Sequence, residues 1–438
     1  MIRPRARLAL AFGVVSALML LAPAWKGVIA VAVALDCALL AAAVVDALLA
    51  ARPGDVEVER ICADRLSLGA ENLVRLRVRS FSPRPARLEV RDDPPPEVRD
   101  APARWLEVAV TGRGEAEARY HLRPRRRGDY AFGDAWLRSY GPLGLVRLER
   151  KVPAARAIRV YPNLIGIERW KLGLRRQRLG EMGLHVIRKR GTGTEFEKLK
   201  PYTVGDEFRH LDWKATARRR APVSRVFETE RSQTVMVLID AGRQMAPWVE
   251  GLSRLDYAVN AALMLAYVAS TRDDKVGLAV FADELQEYLE PRKGAAQYRR
   301  FMEHLYRVEA EAVFTDFIAS FRAVATKQKK RSLVVIFTDI TDAESLRELA
   351  RALSLLRPAH LPLVVALRDP SFAEVARAAP AAADGVFEKV VARELLEDRS
   401  RAVRELTRGG AHVLDVLPQD FSASVVSKYL ELKARGLL

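Results

Sequence analysis

The hydrophobic pattern changes character several times along the chain. Leu8 to Trp25 is apolar apart from Ser16, and after Lys26 and Gly27 a second apolar run extends from Val28 to Ala50. A helix needs roughly 20 apolar residues to cross a bilayer. The second run is long enough and the first just so, which predicts a pair of transmembrane helices over residues 1–52. Asp36 and Asp46 interrupt them. Carboxylates are costly inside a bilayer and by default are candidates for function. Asp46 is expected near the interface; Asp36 is expected either to pair within a helix hairpin or oligomer, or to act.

From Val56 to Pro162 the apolar runs shorten. Val74-Arg75-Leu76-Arg77-Val78 and Leu106-Glu107-Val108-Ala109-Val110 alternate with period two, and Ala118 to Leu122 does so more loosely. Alternation of this kind marks strands with one buried face. Proline breaks at Pro83, Pro85 and Pro94 to Pro96 separate the runs, and no long helical stretch intervenes. An antiparallel, immunoglobulin-like β-sandwich over 53–164 is therefore expected. Arg125-Arg126-Arg127-Gly128 reads as a basic turn feeding a strand, and Gly141-Pro142-Leu143-Gly144 as a tight loop.

A third pattern begins after a basic segment at 165–231. Thr234 to Ile239 is a continuous apolar run of the kind buried in a parallel sheet. Further strands are expected at Val276–Phe281, Ser332–Phe337, Leu361–Leu367 and His412–Val416. Helices are expected at Leu255–Thr271, Glu344–Leu356, Arg393–Thr407 and Phe421–Lys433. Strand–helix alternation predicts a doubly wound α/β domain over 232–438, with ligands at the carboxyl ends of its strands.

Charge and cysteine content place this architecture. Arg3, Arg5 and Arg7 precede the first apolar run and favour a cytoplasmic amino terminus. Two crossings then return the chain to the cytoplasm near Arg52. A cleaved signal peptide ending at Ala22-Pro23-Ala24 is the rival reading, and it leaves the body on the same side. The chain has 438 residues and a formal charge of +17. Between Ile165 and Arg231, 17 Lys/Arg against 9 Asp/Glu give +8. Such a surface suits anionic lipid or an acidic protein. No zinc-finger spacing or aromatic ribonucleoprotein motif directs it to nucleic acid. Cys37 and Cys62 are the two cysteines; they make no disulfide framework and allow a reducing compartment.

The segment Glu195-Phe196-Glu197-Lys198-Leu199-Lys200-Pro201-Tyr202 runs through Val204-Gly205-Asp206-Glu207-Phe208-Arg209 into His210-Leu211-Asp212-Trp213-Lys214-Ala215-Thr216-Ala217-Arg218. It resembles the hallmark run of the bacterial domain of unknown function 58 family, with Lys200 in place of Arg and Leu211 in place of Ile. The paired amino-terminal apolar runs, Arg126 to Gly128, Pro142 to Leu145 and Val160-Tyr161-Pro162 extend the resemblance over most of the chain. It implies a protein of the bacterial inner membrane with a von Willebrand factor A-like cytoplasmic domain. It also implies genes neighbouring those of MoxR-type AAA+ ATPases and, often, transglutaminase-like proteins; the family's biochemical activity is not established. Read physically, Glu195, Phe196, Tyr202, Gly205, Asp206, Arg209, Asp212, Trp213, Lys214 and Arg218 suit a docking element, an aromatic anchor with a charged rim. The alternative has Trp213 in a core while Asp206 or Asp212 pairs with Arg209 or Arg218.

Asp240 is expected at the end of the first α/β strand, Asp339 just beyond the strand ending at Phe337, and Thr315 on an intervening loop. This is the layout of a metal-ion-dependent adhesion site, in which oxygen ligands hold a divalent cation whose open position captures a partner's carboxylate. The loop reads Asp240-Ala241-Gly242-Arg243-Gln244, so Gly242 and Gln244 stand where two serines are required. Asp240, Gln244, Thr315 and Asp339 make a degenerate candidate site for Mg²⁺. Otherwise Asp240 is expected to pair internally, for instance with Arg243. No His-Glu-x-x-His, Gly-x-Ser-x-Gly or Walker-type loop occurs. A non-catalytic adaptor working with a MoxR-type ATPase on envelope proteins is the expectation. A structural envelope protein gripping anionic lipid or a polymer is the alternative, and a metal-dependent enzyme the more remote one. No small-molecule substrate is indicated.

Overall fold

The computed structural model describes residues 2–18, 27–83, 85–99, 102–163, 195–203, 211–219, 221–228, 232–339, 343–379 and 383–438. Two compact units divide the chain, Met1–Ile165 and Gly166–Leu438.

The first unit opens with a short strand, β1 (Ile2–Pro4), followed by helices α1 (Ala6–Leu18) and α2 (Gly27–Leu49). Among the described residues α2 alone is long and apolar enough to cross a membrane. The described part of α1 has 13 residues, about 20 Å at 1.5 Å per residue. The paired spans expected from the apolar runs thus reduce to one full-length helix and one shorter apolar helix; residues 19–26 lie outside the described set.

Strands β2 (Val56–Ile61), β3 (Arg65–Ser67), β4 (Asn72–Ser80), β5 (Ala86–Arg91), β6 (Leu106–Val110), β7 (Glu115–Leu122), β8 (Gly128–Phe132), β9 (Ala135–Tyr140), β10 (Val146–Val152) and β11 (Arg156–Tyr161) follow. They form sheets ordered β2-β4-β7, β1-β10-β9-β5-β6 and β3-β11-β8, antiparallel except that β3 and β11 run parallel. The period-two reading is visible in the packing: Val74, Leu76 and Val78 point inward and the arginines between them do not. Val58, Leu76, Val78, Leu88, Val90, Val108 and Leu137 share one buried core, so the inner faces of the first two sheets close on each other. Each such fully buried side chain stabilises by about 1.5–3 kcal/mol. Beneath them Arg60 and Asp92 form a buried ion pair, Tyr120 donates to Asp92, and Arg60 lies over Phe132.

The second unit begins with β12 (Glu195–Pro201), which pairs antiparallel with β13 (Val223–Glu228) on either side of a short helix, α3 (Trp213–Arg219). Then come β14 (Thr234–Asp240), a small hairpin of β15 (Trp248–Val249) and β16 (Leu252–Ser253), α4 (Arg254–Thr271), β17 (Lys275–Phe281), β18 (Leu285–Arg292), α5 (Ala295–Arg307) and α6 (Phe317–Lys327). The remainder is β19 (Leu333–Phe337), α7 (Ala343–Leu356), β20 (Leu361–Leu367), α8 (Pro370–Arg377), α9 (Ala383–Arg408), β21 (His412–Val416) and α10 (Phe421–Ala434).

The sheet runs β18-β17-β14-β19-β20-β21, parallel apart from the edge strand β18. The central strands are buried on both faces, which is why they read as unbroken apolar runs. On one face Met236, Leu238, Ile336 and Val364 pack with Phe317, Phe321, Leu349, Leu353 and Leu406 from α6, α7 and α9. Strand order moves outward in both directions from β14, so the topological switch point lies between β14 and β19. That is the crevice in which open α/β sheets collect their functional groups.

Candidate functional site at the switch point

Asp240 is the last residue of β14 and is fully buried. Its Oδ1 accepts the Gly242 N–H at 2.8 Å and the Thr315 hydroxyl at 2.7 Å. Its Oδ2 accepts the Thr338 hydroxyl at 2.6 Å. Burial pushes the Asp240 carboxyl above the usual carboxylate range, with nearby Asp339 adding to the effect and the three hydrogen bonds opposing it. The expected pairing with Arg243 does not form. Gly242 makes the Thr315 contact possible, since a Cβ there would lie 2.2 Å from Thr315 Oγ1.

Asp339, just past β19, is buried between two arginines. Oδ2 accepts from Arg254 Nη1, and Oδ1 from Arg399 Nη1 at 2.9 Å. Arg399 also donates to Asp415 Oδ1 at 2.9 Å and to the Leu367 carbonyl at 2.7 Å, bridging β20 and β21. Arg254 is positioned by a local device: Ser253 caps α4 by accepting the Asp256 N–H at 3.0 Å and donating to Asp256 Oδ2 at 2.6 Å. That fixes Arg254 as the first helical residue, facing the crevice.

These residues do not fit a divalent cation. Asp240 and Thr315, two of the four candidate ligands, are bonded directly to each other. Asp339 is neutralised by two guanidinium groups, and the Gln244 side chain turns away to donate to Ser345 Oγ at 3.0 Å. Among the described residues no group of three or more His, Cys, Asp or Glu could hold a metal. Sequence reasoning missed Arg254, Thr338, Ser345 and Arg399. Thr338 had a signal, lying beside Asp339 at a strand end; Arg399 had none, since it arrives from the middle of α9.

Above the buried carboxylates two loops are stitched together by backbone bonds, Arg243 N–H to the Val313 carbonyl at 2.9 Å and Glu311 N–H to the Ala241 carbonyl at 2.7 Å. Their side chains form the rim. Arg243 is exposed, and its guanidinium carbon lies 3.4 Å from the centroid of the Phe314 ring, itself 66% exposed.

The signature segment divides into framework and surface. Glu195 and Phe196 lie in β12, in register with Glu228 and Phe227. Tyr202 N–H donates to the Pro222 carbonyl at 2.9 Å, tying the end of β12 to the start of β13. Asp212 caps α3, its Oδ1 accepting the Ala215 N–H at 2.9 Å. Trp213 is 67% exposed, so the core alternative is overturned, and Lys214 and Arg218 are exposed beside it. Gly205, Asp206 and Arg209 lie outside the described residues.

Residues 198–402 match the family described as "Protein of unknown function DUF58". Uncharacterized proteins of Mycobacterium bovis and Mycobacterium tuberculosis are 24% identical over 269 residues, covering 57% of this chain and 82% of each relative. Among solved structures, a CARDB domain in complex with di-metal ions from Pyrococcus furiosus is 13% identical with a TM-score of 0.18, over 24% of this chain and 87% of that one. The Pseudomonas fluorescens alkylpurine DNA glycosylase AlkC bound to DNA is 14% identical with a TM-score of 0.16, over 24% of this chain and 30% of that one. Likeness at that level carries no argument about this protein.

Proposed function

We propose that this chain is a membrane-anchored, non-catalytic interaction module whose carboxy-terminal domain is von Willebrand factor A-like. On this reading it docks a MoxR-type AAA+ ATPase in the assembly or maturation of envelope proteins. The observation that carries it is the switch-point crevice: Asp240, Thr315 and Asp339 occupy strand-end and loop positions suited to partner capture, yet each is held by neighbours that leave no nucleophile–base pair. The exposed Trp213, Lys214 and Arg218 on α3 supply a second docking element of aromatic and basic character. Membrane attachment is supported by α2; Arg3, Arg5 and Arg7 ahead of α1 favour a cytoplasmic amino terminus, and a return crossing puts the body on that same side. The A-like domain is read as working without Mg²⁺, because arginines stand where a cation would have to compete for Asp339.

Co-purification from native membranes tests the reading. The full chain should recover an AAA+ ATPase, and W213A should weaken the recovery. Repeated failure with the ATPase demonstrably expressed would sink the proposal.

A further inference from the structure

We infer that Arg243, stacked on Phe314, is the receptor for an Asp or Glu side chain on an acidic segment of a partner protein, acting where a metal ion would otherwise capture it. The inference rests on the docking reading above and names the chemistry of its contact. Three observations converge on it. First, the carboxylates beneath are already engaged: Asp240 by two hydroxyls and a backbone N–H, Asp339 by Arg254 and Arg399. A cation would have to displace these partners before it could bind.

Second, Arg243 is held in place at both ends. Its backbone N–H is bonded to the Val313 carbonyl, and its guanidinium carbon lies over the ring one residue further along that loop, 3.4 Å from the centroid. A guanidinium stacked by its face keeps its N–H edge available, and that edge matches the two oxygens of a carboxylate. Little side-chain freedom is then left to lose on binding. Third, among the described residues no carboxylate pairs with Arg243, although acidic residues lie on the same loop. Glu311 accepts from Gln286 Nε2 at 2.8 Å, and Asp316 caps α6 through the Ala319 N–H at 2.8 Å. The exposed face of Phe314 adds an apolar surface beside the charge. The site therefore favours a carboxylate flanked by an apolar side chain. The chain's +17 charge steers such an acidic segment toward it.

The test places the photo-crosslinker p-benzoylphenylalanine at position 314 of the full chain, in its own membranes, and maps the adduct by mass spectrometry. The ring is retained there, so the stacking of Arg243 is retained too. The expected adduct lies on a partner segment containing Asp or Glu, with a yield unaffected by EDTA. R243Q and R243E should lower the yield at least tenfold at unchanged melting temperature, with R243K intermediate. Replacing the mapped acid by Lys in the partner should restore crosslinking to R243E. Loss of the adduct in EDTA, an adduct indifferent to R243E, a mapped segment without acid, or no adduct overturns the inference. An ATPase that still co-purifies with R243E leaves the docking reading standing and removes the carboxylate contact. An Arg243-dependent adduct on some other protein does the reverse.

Discussion

Asp240 concentrates the chemistry of the crevice in one residue. Three hydrogen bonds favour its charged form, but burial outweighs them and raises the carboxyl above its ordinary value. The sign for stability follows from linkage. The folded state binds this proton more tightly than the unfolded chain does. Its contribution is therefore full below the unfolded value, about 3.9, and is lost as pH rises through the raised folded value. Asp240→Asn cannot ionise, and its amide can still accept from Thr315 and Gly242 while donating to the Thr338 oxygen. The variant should melt higher than the parent, by a margin that widens from pH 4 to pH 8. Thermal unfolding across that range checks it, and a constant or shrinking margin would refute the assignment.

Between elements, the contact of α2 with the β9–β10 loop is the clearest case of a structural device. Asp46 is fully buried near the end of α2. Oδ1 accepts the Leu143 N–H at 2.7 Å, and Oδ2 accepts those of Leu145 at 2.7 Å and Val146 at 3.1 Å. Gly141 lets the loop come this close, because a Cβ there would lie 2.1 Å from Asp46 Oδ1. Asp46→Ala would strand three N–H groups, each bonded to a charged acceptor, and should cost about 3 kcal/mol or more. Asp46→Asn, keeping one oxygen, should cost less. Denaturant unfolding in detergent measures both, and a neutral Asp46→Ala would refute the clasp. The sequence singled out Asp46 as costly and Gly141 to Gly144 as a tight loop, but nothing local joins residues about a hundred positions apart. The same limit governed the crevice. Asp240, Thr315 and Asp339 were legible because strand ends and helix starts are local signals. The clamp on Asp339 was not, because Arg254 and Arg399 reach it from 85 and 60 residues away. Strands β20 and β21 matched their predicted limits, being apolar runs with clear breaks. Edge strand β18, with Gln286, Glu287, Glu290 and Pro291, carries no such pattern and was missed. Helix α9 starts at Ala383, ten residues before its expected beginning, and its first turns expose Val386, Phe387, Val390 and Val391. These four recur at helical spacing, so the earlier start was legible in the sequence and was passed over.

At the scale of the whole chain, β1 constrains topology more tightly than hydropathy does. Ile2, Arg3 and Pro4 pair antiparallel with Leu148, Arg147 and Val146 of β10, and the Arg5 N–H continues the contact to the Leu145 carbonyl at 2.9 Å. Residues 2–5 therefore lie on the same side of any membrane as the β sheets. If α2 crosses a bilayer, the chain between Arg5 and Val56 must cross an even number of times. The return crossing is then expected from the apolar stretch beginning at α1. Removal of a signal peptide ending at Ala22-Pro23-Ala24 would take β1 with it and leave the edge of β10 unpaired. Single cysteines decide the matter in a background with Cys37→Ser. An impermeant maleimide should label Arg3→Cys (with Cys62→Ser) and the native Cys62 from the same face of sealed vesicles. It should label Gly27→Cys from the opposite face. Labelling of positions 3 and 62 from opposite faces would rule out the pairing of β1 with β10 in the membrane. Labelling of all three from one face would mean that α2 does not cross, and the anchor would have to be sought at the surface of the bilayer.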